Sequence, residues 1–372
     1  MYDNDFWRVI LKIDSSFLFD FARNCYSALS YYNPSGKILP PLRFLCELTY
    51  QCNLRCPFCY LGEKREKNEL STEEWINVFK QIPRFSFLQL LGGEIFLRKD
   101  AFKLIHEASK RTFGKVGIVT NASLLTDENI EKLMNEKILL LSVSIDGIGE
   151  KHDTIRNKKG LYEQAVKALK RLKEKRGKHK YPLLEIKTVV LKDNLQDLPK
   201  LYELATDMNL DFLTFSFVRE TGLRQDSNML DEYPEEIYSK KYPLKTYFDM
   251  QEFEDVYKKL ERISKKSNTL LRWAPKFKPT KDIKRIKKLF EKGENDIETL
   301  YEPCNFPFHD VFINPEGIVY PCFPVNMGSV REHKIMEILN GEKFCEFRKK
   351  LRREKVLNPC HLCCDLYPKK NI

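Results

Sequence analysis

Residues 52–60 read Cys52-Asn53-Leu54-Arg55-Cys56-Pro57-Phe58-Cys59-Tyr60, which places three cysteines in a stretch of nine residues. Three thiolates with the spacing Cys-x3-Cys-x2-Cys can hold three irons of a [4Fe–4S] cube and leave the fourth iron without a protein ligand. Because such clusters normally take four thiolates, the missing ligand indicates a reactive cluster. A zinc loop is the alternative, but zinc sites favour Cys-x2-Cys pairs and closed sets of four ligands.

The cysteines of the whole chain are numerous and clustered. The 372 residues include 11 cysteines, of which four lie between Cys46 and Cys59, six lie between Cys304 and Cys364, and Cys25 stands apart. In a reducing compartment, clustered cysteines bind metals more often than they form disulfides. The distribution therefore favours two metal sites over a disulfide framework.

The composition is that of an ordinary globular protein, with 42% hydrophobic and 31% charged residues. The longest strongly apolar run, 138–143, is too short to cross a bilayer, and no signal-peptide pattern is present, so we expect a cytoplasmic protein without a transmembrane segment. The net charge is +11, but the basic runs contain acidic residues and no compact RNA-binding motif. This pattern favours solvated helix faces over a nucleic-acid partner.

Between residues 43 and 217, short apolar runs alternate with segments of helical period, which predicts repeated βα units. Ser71 with Glu74 forms a predicted capping box, and Thr126 repeats the signal for a later helix. Six such units predict an α/β fold with an open, partial (β/α)6 TIM-like barrel, whose ligands lie at the C-terminal ends of the strands. The predicted strands are Phe44–Leu48, Phe85–Leu91, Val116–Thr120, Leu139–Ile145, Leu184–Leu191 and Phe212–Phe217.

The rest of the chain lacks this alternation. We predict an N-terminal helical cap over 1–40, the partial barrel over 41–218, a helical connecting and substrate-covering region over 219–300, and a small C-terminal α+β domain over 301–372. Helices are expected around Phe253–Ile263 and Asp282–Glu291 in the connecting region.

The cysteine triplet, with the aromatic Tyr60 directly after it, resembles the signature of the radical S-adenosylmethionine (SAM) enzymes. A second match is Gly92-Gly93-Glu94 at the end of the second predicted strand. In that family this motif binds the methionyl amino group of SAM, and glycines let backbone approach a ligand closely. The resemblance covers about 43–217 and 301–369.

Further matches lie at the ends of the later strands. The resemblance implies that Asn121 and Ser144 contact SAM, that Arg156 pairs with its carboxylate, and that Val190 contacts adenine. An exposed arginine and a core valine are the structural alternatives. Asn194 also matches the family pattern but has no assigned contact. The predicted SAM-binding residues are Tyr60, Gly92, Gly93, Glu94, Asn121, Ser144, Arg156 and Val190, and the predicted ligands of the first cluster are Cys52, Cys56 and Cys59.

The second cysteine set resembles the C-terminal extension of the SPASM/Twitch subgroup, which carries auxiliary [4Fe–4S] clusters. The pattern of this subgroup also has a glycine between the first two cysteines, and Gly317 stands at that position, within a predicted hairpin turn. Lys369 stands where the longer, two-cluster form has its next cysteine, so one auxiliary cluster is expected. A structural zinc at the same thiols is the alternative. The predicted ligands are Cys304, Cys322, Cys360 and Cys363, with Cys364 and Cys345 in reserve.

The resemblance implies a radical SAM oxidoreductase or maturase. Such an enzyme cleaves SAM reductively to a 5′-deoxyadenosyl radical, which abstracts hydrogen from a small-molecule or peptide substrate. It also implies a reductant such as ferredoxin or flavodoxin. Sulfatase-maturing members carry an acidic residue after the cysteine equivalent to Cys322, whereas this chain has Phe323, which argues against formylglycine formation.

Three alternatives remain open on the sequence. A tRNA-modifying radical SAM enzyme would use the basic runs, and a lipid-modifying one would use the aromatic stretch 17–21. A non-catalytic iron–sulfur scaffold would not need the SAM-binding residues Gly92, Gly93, Glu94 and Arg156. The catalytic residues that act on the substrate are not identified by the sequence.

Overall fold

The structure, a computed structural model, describes residues 25–59, 68–217, 249–274, 301–322 and 325–357, together with residues 360, 363, 365, 366 and 369. The predictions for Tyr60, for Cys364 and for a helix over Asp282–Glu291 fall outside the described residues. Of the predicted N-terminal cap, residues 25–31 are helical.

One nine-stranded sheet organises the fold, in the order β7-β6-β5-β4-β3-β2-β1-β8-β9. The strands are β1 (Arg43–Glu47), β2 (Phe87–Leu91), β3 (Val116–Thr120), β4 (Leu140–Ser144), β5 (Leu183–Val190), β6 (Phe212–Phe217), β7 (Leu270–Ala274), β8 (Asp310–Ile313) and β9 (Val319–Tyr320). Besides the helical residues 25–31, the α-helices of the described residues are α1 (Thr72–Gln81), α2 (Ala101–Thr112), α3 (Asp127–Met134), α4 (Glu150–Arg156), α5 (Leu161–Arg176), α6 (Leu198–Asp207), α7 (Met250–Ser264), α8 (Ile335–Leu339) and α9 (Glu342–Glu354).

The strands β1 to β8 are all parallel to their neighbours, and only β9 runs antiparallel to β8. The six predicted strands are present as β1 to β6, with ends that agree to within two residues. The order runs from β7 to β9 without closing in the part of the chain that the structure describes. The prediction of an α/β fold with an open, partial barrel is therefore confirmed.

The sheet extends beyond the six predicted units at both sides. Strand β7 pairs with β6, although it lies in the region predicted to connect the domains. Strand β8 comes from the C-terminal region and pairs with β1, where the Arg43 guanidinium lies 2.8 Å from the Asp310 carboxylate. Both strands lie outside the regular βα alternation of 43–217 from which the other strands were predicted, and their short apolar runs alone did not indicate a strand.

The helix starts follow the local signals in the sequence. The Ser71 hydroxyl accepts the Glu74 backbone N–H at 3.2 Å, and the Glu74 carboxylate accepts the Ser71 N–H at 2.8 Å, which confirms the capping box of α1. The Thr126 hydroxyl caps α3 by accepting the Asn129 N–H. Helix α7 covers the predicted helix over Phe253–Ile263.

The two faces of the sheet differ in character. On one face, Trp273 of β7 packs against Phe215 of β6 and against Tyr257 of α7, with ring centroids 5.0 and 5.2 Å apart. Because successive strand residues point to opposite faces, Arg272 and Thr214 lie on the other face. At the amino ends of the strands this second face is closed by a separate apolar cluster of Leu183, Phe212 and Leu270, with Leu140 against it.

A buried arginine joins the C-terminal helices to the N-terminal segment. Arg348 of α9 is fully buried and donates to the carbonyls of Pro307 (2.7 Å), Gly36 (3.2 Å) and Leu339 (2.6 Å). Its charge is therefore stabilised by carbonyl dipoles from three separate parts of the chain. Among the described residues, no helix combines the length and the apolar character needed to cross a membrane.

We expect Arg348→Met to destabilise the protein by about 3 kcal/mol, because three buried carbonyls lose a charged donor. Arg353→Met is the matched control, since that side chain is 70% exposed and pairs with its neighbour Glu354. Chemical denaturation of both variants and the wild type measures the difference. Equal unfolding midpoints for the two variants would contradict the role of Arg348.

Candidate functional site

The cysteine triplet lies in the loop that follows β1, at the carboxyl edge of the sheet. The thiols of Cys52, Cys56 and Cys59 are all partly exposed, and the Cys59 N–H donates to the Cys56 carbonyl at 3.0 Å. Burial raises the pKa of Cys56 to about 11. The neighbouring Arg156 charge lowers this pKa, whereas the Cys59 and Cys52 thiols raise it further. The Cys59 and Cys52 thiols therefore lie close enough to Cys56 to raise its pKa, and a cationic group bound beside them would reverse that effect.

The residues before the triplet continue the pairing of β1 with β2 past the ends of both strands. The Gly93 N–H donates to the Thr49 carbonyl at 2.7 Å, and the Glu94 N–H donates to the Gln51 carbonyl at 2.8 Å. A Cβ on Gly93 would lie 2.0 Å from the Gln51 oxygen, and one on Gly92 would lie 2.5 Å from the Thr49 oxygen. Both glycines are therefore required for close contact with the loop that carries the triplet. Their predicted approach to SAM stays a prediction.

The Glu94 side chain is fully buried beside this loop. Its carboxylate accepts the Thr120 hydroxyl at 2.8 Å and the Asn121 backbone N–H at 2.8 Å. Burial nevertheless raises the pKa of Glu94 to about 7, because the hydrogen bonds and the Arg156 charge offset the desolvation only in part. A buried carboxylate in this state would be stabilised by a ligand that brings a positive charge, which fits the predicted contact with an amino group.

Asn121 connects Glu94 to the triplet. Its backbone binds the Glu94 carboxylate, while its side-chain amide lies 3.9 Å from the Cys52 sulfur and donates to the Asn53 side chain at 3.1 Å. The Asn53 amide in turn donates to the Ser123 hydroxyl at 2.8 Å. The predicted residues Glu94 and Asn121 are thus brought together with the first thiol set.

Arg156, at the end of α4, forms the other side of the site. Its Nε donates to the Asp146 carboxylate at 2.7 Å, and its backbone carbonyl lies 3.9 Å from the Cys56 sulfur. The guanidinium lies 5.9 Å from the centre of the Phe58 ring. Desolvation lowers the pKa of Arg156, but the Asp146, Cys56 and Cys59 charges outweigh it and the pKa is raised. The buried guanidinium therefore stays charged next to the thiols.

Asp146 is held in place from several sides. Its carboxylate accepts the Val189 N–H at 2.8 Å, and its backbone N–H donates to His152 Nδ1 at 3.0 Å. The Asn194 amide donates to the carbonyls of Asp146 and Val189, both at 2.7 Å. Asn194 therefore positions the loop that holds Arg156. The sequence analysis could not assign Asn194 a contact, and these two carbonyls are its contacts.

Ser144 and Val190 lie apart from this network. Ser144 is half-buried on the face of the sheet that also carries Thr214 and Arg272, in register with Lys187 of β5. Val190 is 2% exposed and in register with Phe217, within the main hydrophobic core. The structure places the Val190 side chain in the core, and its contact with adenine stays a prediction.

Two residues that the sequence analysis missed hold the base of the cysteine loop. The Glu69 carboxylate accepts the Thr49 hydroxyl at 2.9 Å and the Tyr50 N–H at 2.7 Å. Arg98 donates to the Leu48 carbonyl at 2.9 Å and lies 3.6 Å from Glu69. Neither residue belongs to a recognisable motif, and their contacts join distant parts of the chain, so the sequence carried no signal for them.

The second thiol set lies in the C-terminal region. Cys304 is buried, and its pKa is raised well above the ordinary value by burial and then by Cys360, Cys322 and Cys363. Cys304 therefore lies near the other three predicted thiols. The reserve ligand Cys345 is buried in α9, where its thiol lies 3.5 Å from the Asn340 carbonyl.

A tight turn precedes Cys322, as the sequence predicted. Gly317 has a φ of +84° and donates to the Asn314 carbonyl at 2.9 Å, and the Asn314 N–H donates to the Ile318 carbonyl at 3.0 Å. This confirms the hairpin turn between β8 and β9.

Neither thiol set is arranged around a single ion. Within the described ranges, no three His, Cys, Asp or Glu side chains are placed to hold one metal ion.

Comparison with known proteins identifies both parts of the chain. Residues 46–205 match the family model of the radical SAM superfamily, and residues 304–364 match that of an iron-sulfur cluster-binding domain named SPASM. An AdoMet-dependent heme synthase from Methanosarcina barkeri is 28% identical over 85% of this chain and 86% of its own length. A PqqA peptide cyclase from Granulibacter bethesdensis is 32% identical, but over 46% of each chain.

Solved structures share the fold at low sequence identity. SuiB from Streptococcus suis, bound to S-adenosylmethionine, matches 90% of this chain and 74% of its own with a TM-score of 0.64 and 14% identity. The protein anSMEcpe, with bound AdoMet and a Cp18Cys peptide, matches 87% of this chain and 88% of its own with a TM-score of 0.57 and 18% identity. These likenesses support the α/β fold derived above.

We expect Gly93→Ala to displace the cysteine loop, because the added methyl group would overlap the Gln51 carbonyl. After anaerobic reconstitution the variant should lack about four irons per chain relative to the wild type, the content of one cubane cluster. Gly160→Ala is the control. Its added Cβ would have no atom within 4 Å, so this variant adds only the backbone strain of a residue with a φ of +76°. Full iron loading of Gly93→Ala would contradict this role of the glycine.

His152 should make stability depend on pH. Burial, reinforced by the Arg156 charge, lowers the pKa of His152 to about 4 from the model-compound value of 6.5. Below pH 6.5 the unfolded chain therefore binds a proton that the folded protein does not, so the folded state loses stability as the pH falls. The loss is about 2 kcal/mol between pH 7 and pH 5.

The variant His152→Gln should remove most of this pH dependence, because its amide oxygen can still accept the Asp146 N–H but does not titrate. Chemical denaturation at pH 7 and pH 5 measures the effect. The exposed His333→Gln should keep the dependence of the wild type. If His152→Gln loses as much stability as the wild type on acidification, the assignment to His152 is wrong.

Proposed function

The chain belongs to the radical SAM superfamily and carries a SPASM iron–sulfur domain, and we propose from this premise that it is an oxidoreductase that abstracts hydrogen from a small-molecule or peptide substrate. Its cofactors are a [4Fe–4S] cluster, S-adenosylmethionine and an auxiliary iron–sulfur cluster. We assign the first cluster to Cys52, Cys56 and Cys59, and the auxiliary cluster to Cys304, Cys322, Cys360 and Cys363.

One observation carries the proposal: two buried and opposite charges flank the first thiol set. Glu94 is a buried carboxylate whose raised pKa calls for a cation, and Arg156 is a buried guanidinium beside Cys56. Within the described residues, the hydrogen bond of the Arg156 side chain runs through Nε to Asp146, which leaves the planar outer nitrogens for an acceptor. SAM has both an ammonium and a carboxylate group, so Glu94 and Arg156 complement its two charges.

Bound together, the reduced cluster and SAM supply the radical that removes a hydrogen atom from the substrate. The residues of the chain bind and orient SAM. Glu94 holds the amino end, Arg156 holds the carboxylate, and the Asp146 contacts with Val189 and Asn194 keep Arg156 from turning away. The burial of both charges excludes water from this end of the site.

The comparisons favour a small molecule as the substrate. The heme synthase matches 85% of this chain, whereas the peptide cyclase matches 46%. A peptide remains the second candidate, because one SuiB structure holds its precursor peptide SuiA and covers 98% of this chain. The alternatives of a tRNA or lipid substrate gain no support from the described residues.

We further propose that Cys304, Cys322, Cys360 and Cys363 would hold an auxiliary cluster that would supply an electron acceptor for the substrate, and that ferredoxin or flavodoxin would be the reductant of the first cluster. The hairpin before Cys322 contacts the loop that carries the triplet. The Tyr50 hydroxyl donates to the Glu316 carboxylate at 3.0 Å, and the Leu70 N–H donates to the Pro315 carbonyl at 2.6 Å. The two thiol sets are thus parts of one connected structure.

Anaerobically reconstituted wild type should contain about eight irons per chain and form 5′-deoxyadenosine from SAM with dithionite. The triple variant Cys52→Ala, Cys56→Ala, Cys59→Ala should keep about four irons and form none, because only the auxiliary site remains. The exposed Cys25→Ala is the control and should match the wild type. The proposal fails if fully loaded, reducible wild type forms no 5′-deoxyadenosine, or if the triple variant still forms it.

A further inference from the structure

The face of the sheet opposite Phe215 and Trp273 carries a row of polar side chains below the candidate active site. Ser144, Lys187, Thr214 and Arg272 are in register across β4, β5, β6 and β7, so their side chains share one face. Ser216 lies on the same face, one row nearer the carboxyl ends. A polar row inside a parallel sheet is unusual, because such strands are normally apolar on both faces.

The position of the row connects it to the site. Lys187 precedes Val189 by two residues, and the Val189 N–H donates to the Asp146 carboxylate that holds Arg156. The Lys187 backbone is therefore about 7 Å along the strand from this anchor. On the other side of the row, the apolar cluster of Leu183, Phe212 and Leu270 forms a floor.

The row has an excess of positive charge. The buried Glu185 carboxylate accepts hydroxyl donors from Ser142 and Thr214 and lies 3.7 Å from Arg272. Burial raises the pKa of Glu185, but the Arg272 and Lys187 charges and the hydroxyl donors outweigh it and lower the pKa, so Glu185 stays ionised. One carboxylate, whose oxygens already accept two hydroxyl groups, thus faces two cations.

Of these two cations, Lys187 is the one that forms no ion pair with Glu185. It is half-buried, and in the described part of the chain its side chain has neither a hydrogen bond nor an ion pair, while its main-chain carbonyl accepts the Ile145 N–H. Arg272 is 38% exposed, and its guanidinium lies 4.9 Å from the centre of the Phe212 ring. A lysine ammonium in such a position is rarely left without a counter-charge, so an anion is the ligand that fits.

We propose that Lys187 and Arg272, with the hydroxyls of Ser144 and Ser216, bind an anionic group of the substrate, either a carboxylate or a phosphate. This inference rests on the proposed function, since it assigns the substrate class of the same site. An anion bound at this depth orients the rest of the substrate towards the strand ends, where Glu94 and Arg156 lie. The guanidinium of Arg272 offers paired donors to two oxygens, and Lys187 adds a point charge.

The test uses reconstituted holoenzyme and two probes, glutarate and inorganic phosphate, with binding measured by calorimetry and saturation-transfer NMR. We expect Lys187→Met and Arg272→Gln each to weaken binding of the preferred probe about tenfold or more, since each removes a charged hydrogen-bond donor. Lys167→Met, on the exposed face of α5, removes the same charge and should bind like the wild type. Iron content and the thermal midpoint establish that each variant is folded.

The two probes distinguish the sources of the anion. Glutarate binding that depends on Lys187 identifies a carboxylate substrate, and phosphate binding that depends on Lys187 identifies a phosphorylated one. Equal binding by Lys187→Met and Lys167→Met, or no binding of either probe to the wild type, overturns the proposal. Formation of 5′-deoxyadenosine by the same wild-type sample separates this failure from a failure of the proposed radical activity.

Discussion

The main-chain pairing between residues 49–51 and 92–94 is the interaction on which the candidate site depends. It continues the parallel ladder of β1 and β2 beyond the strands, where chains normally diverge into loops. The continuation is feasible only because Gly92 and Gly93 have no Cβ atom. It fixes the cysteine loop and the Glu94 carboxylate relative to each other, so the thiols and the charge beside them are positioned by backbone rather than by flexible side chains.

The sequence could predict those parts of the fold that rest on local patterns. The six strands, the capping box of Ser71 and the Asn314–Gly317 turn follow from residues close together in the chain, and all are found. The motifs of both thiol sets were also recognisable, because their chemistry requires particular residues at fixed spacings. The contacts of Glu69 and Arg98 were not recognisable from the sequence, because each joins segments that only the folded chain brings together.

Asn194 and Val190 illustrate the limit of a resemblance. Asn194 matched a family pattern without a role, and the structure gives it one through two main-chain carbonyls around Asp146. The resemblance assigns Val190 a contact with adenine, which stays a prediction, and the structure shows its side chain packed in the core in register with Phe217. Strand residues alternate between faces, so a shift of one position decides whether a side chain meets the ligand or the core, and a sequence pattern does not locate the faces.

The pairing of β8 with β1 explains how two thiol sets more than two hundred residues apart in the chain belong to one structure. Register in a sheet is strict, because a slip of one residue would turn Arg43 and Asp310 to opposite faces and break their 2.8 Å ion pair. The same register places Glu316 against Tyr50, directly before the cysteine triplet. A continuous parallel sheet fixes the positions of the two thiol sets relative to each other more reliably than a flexible linker between independent domains would.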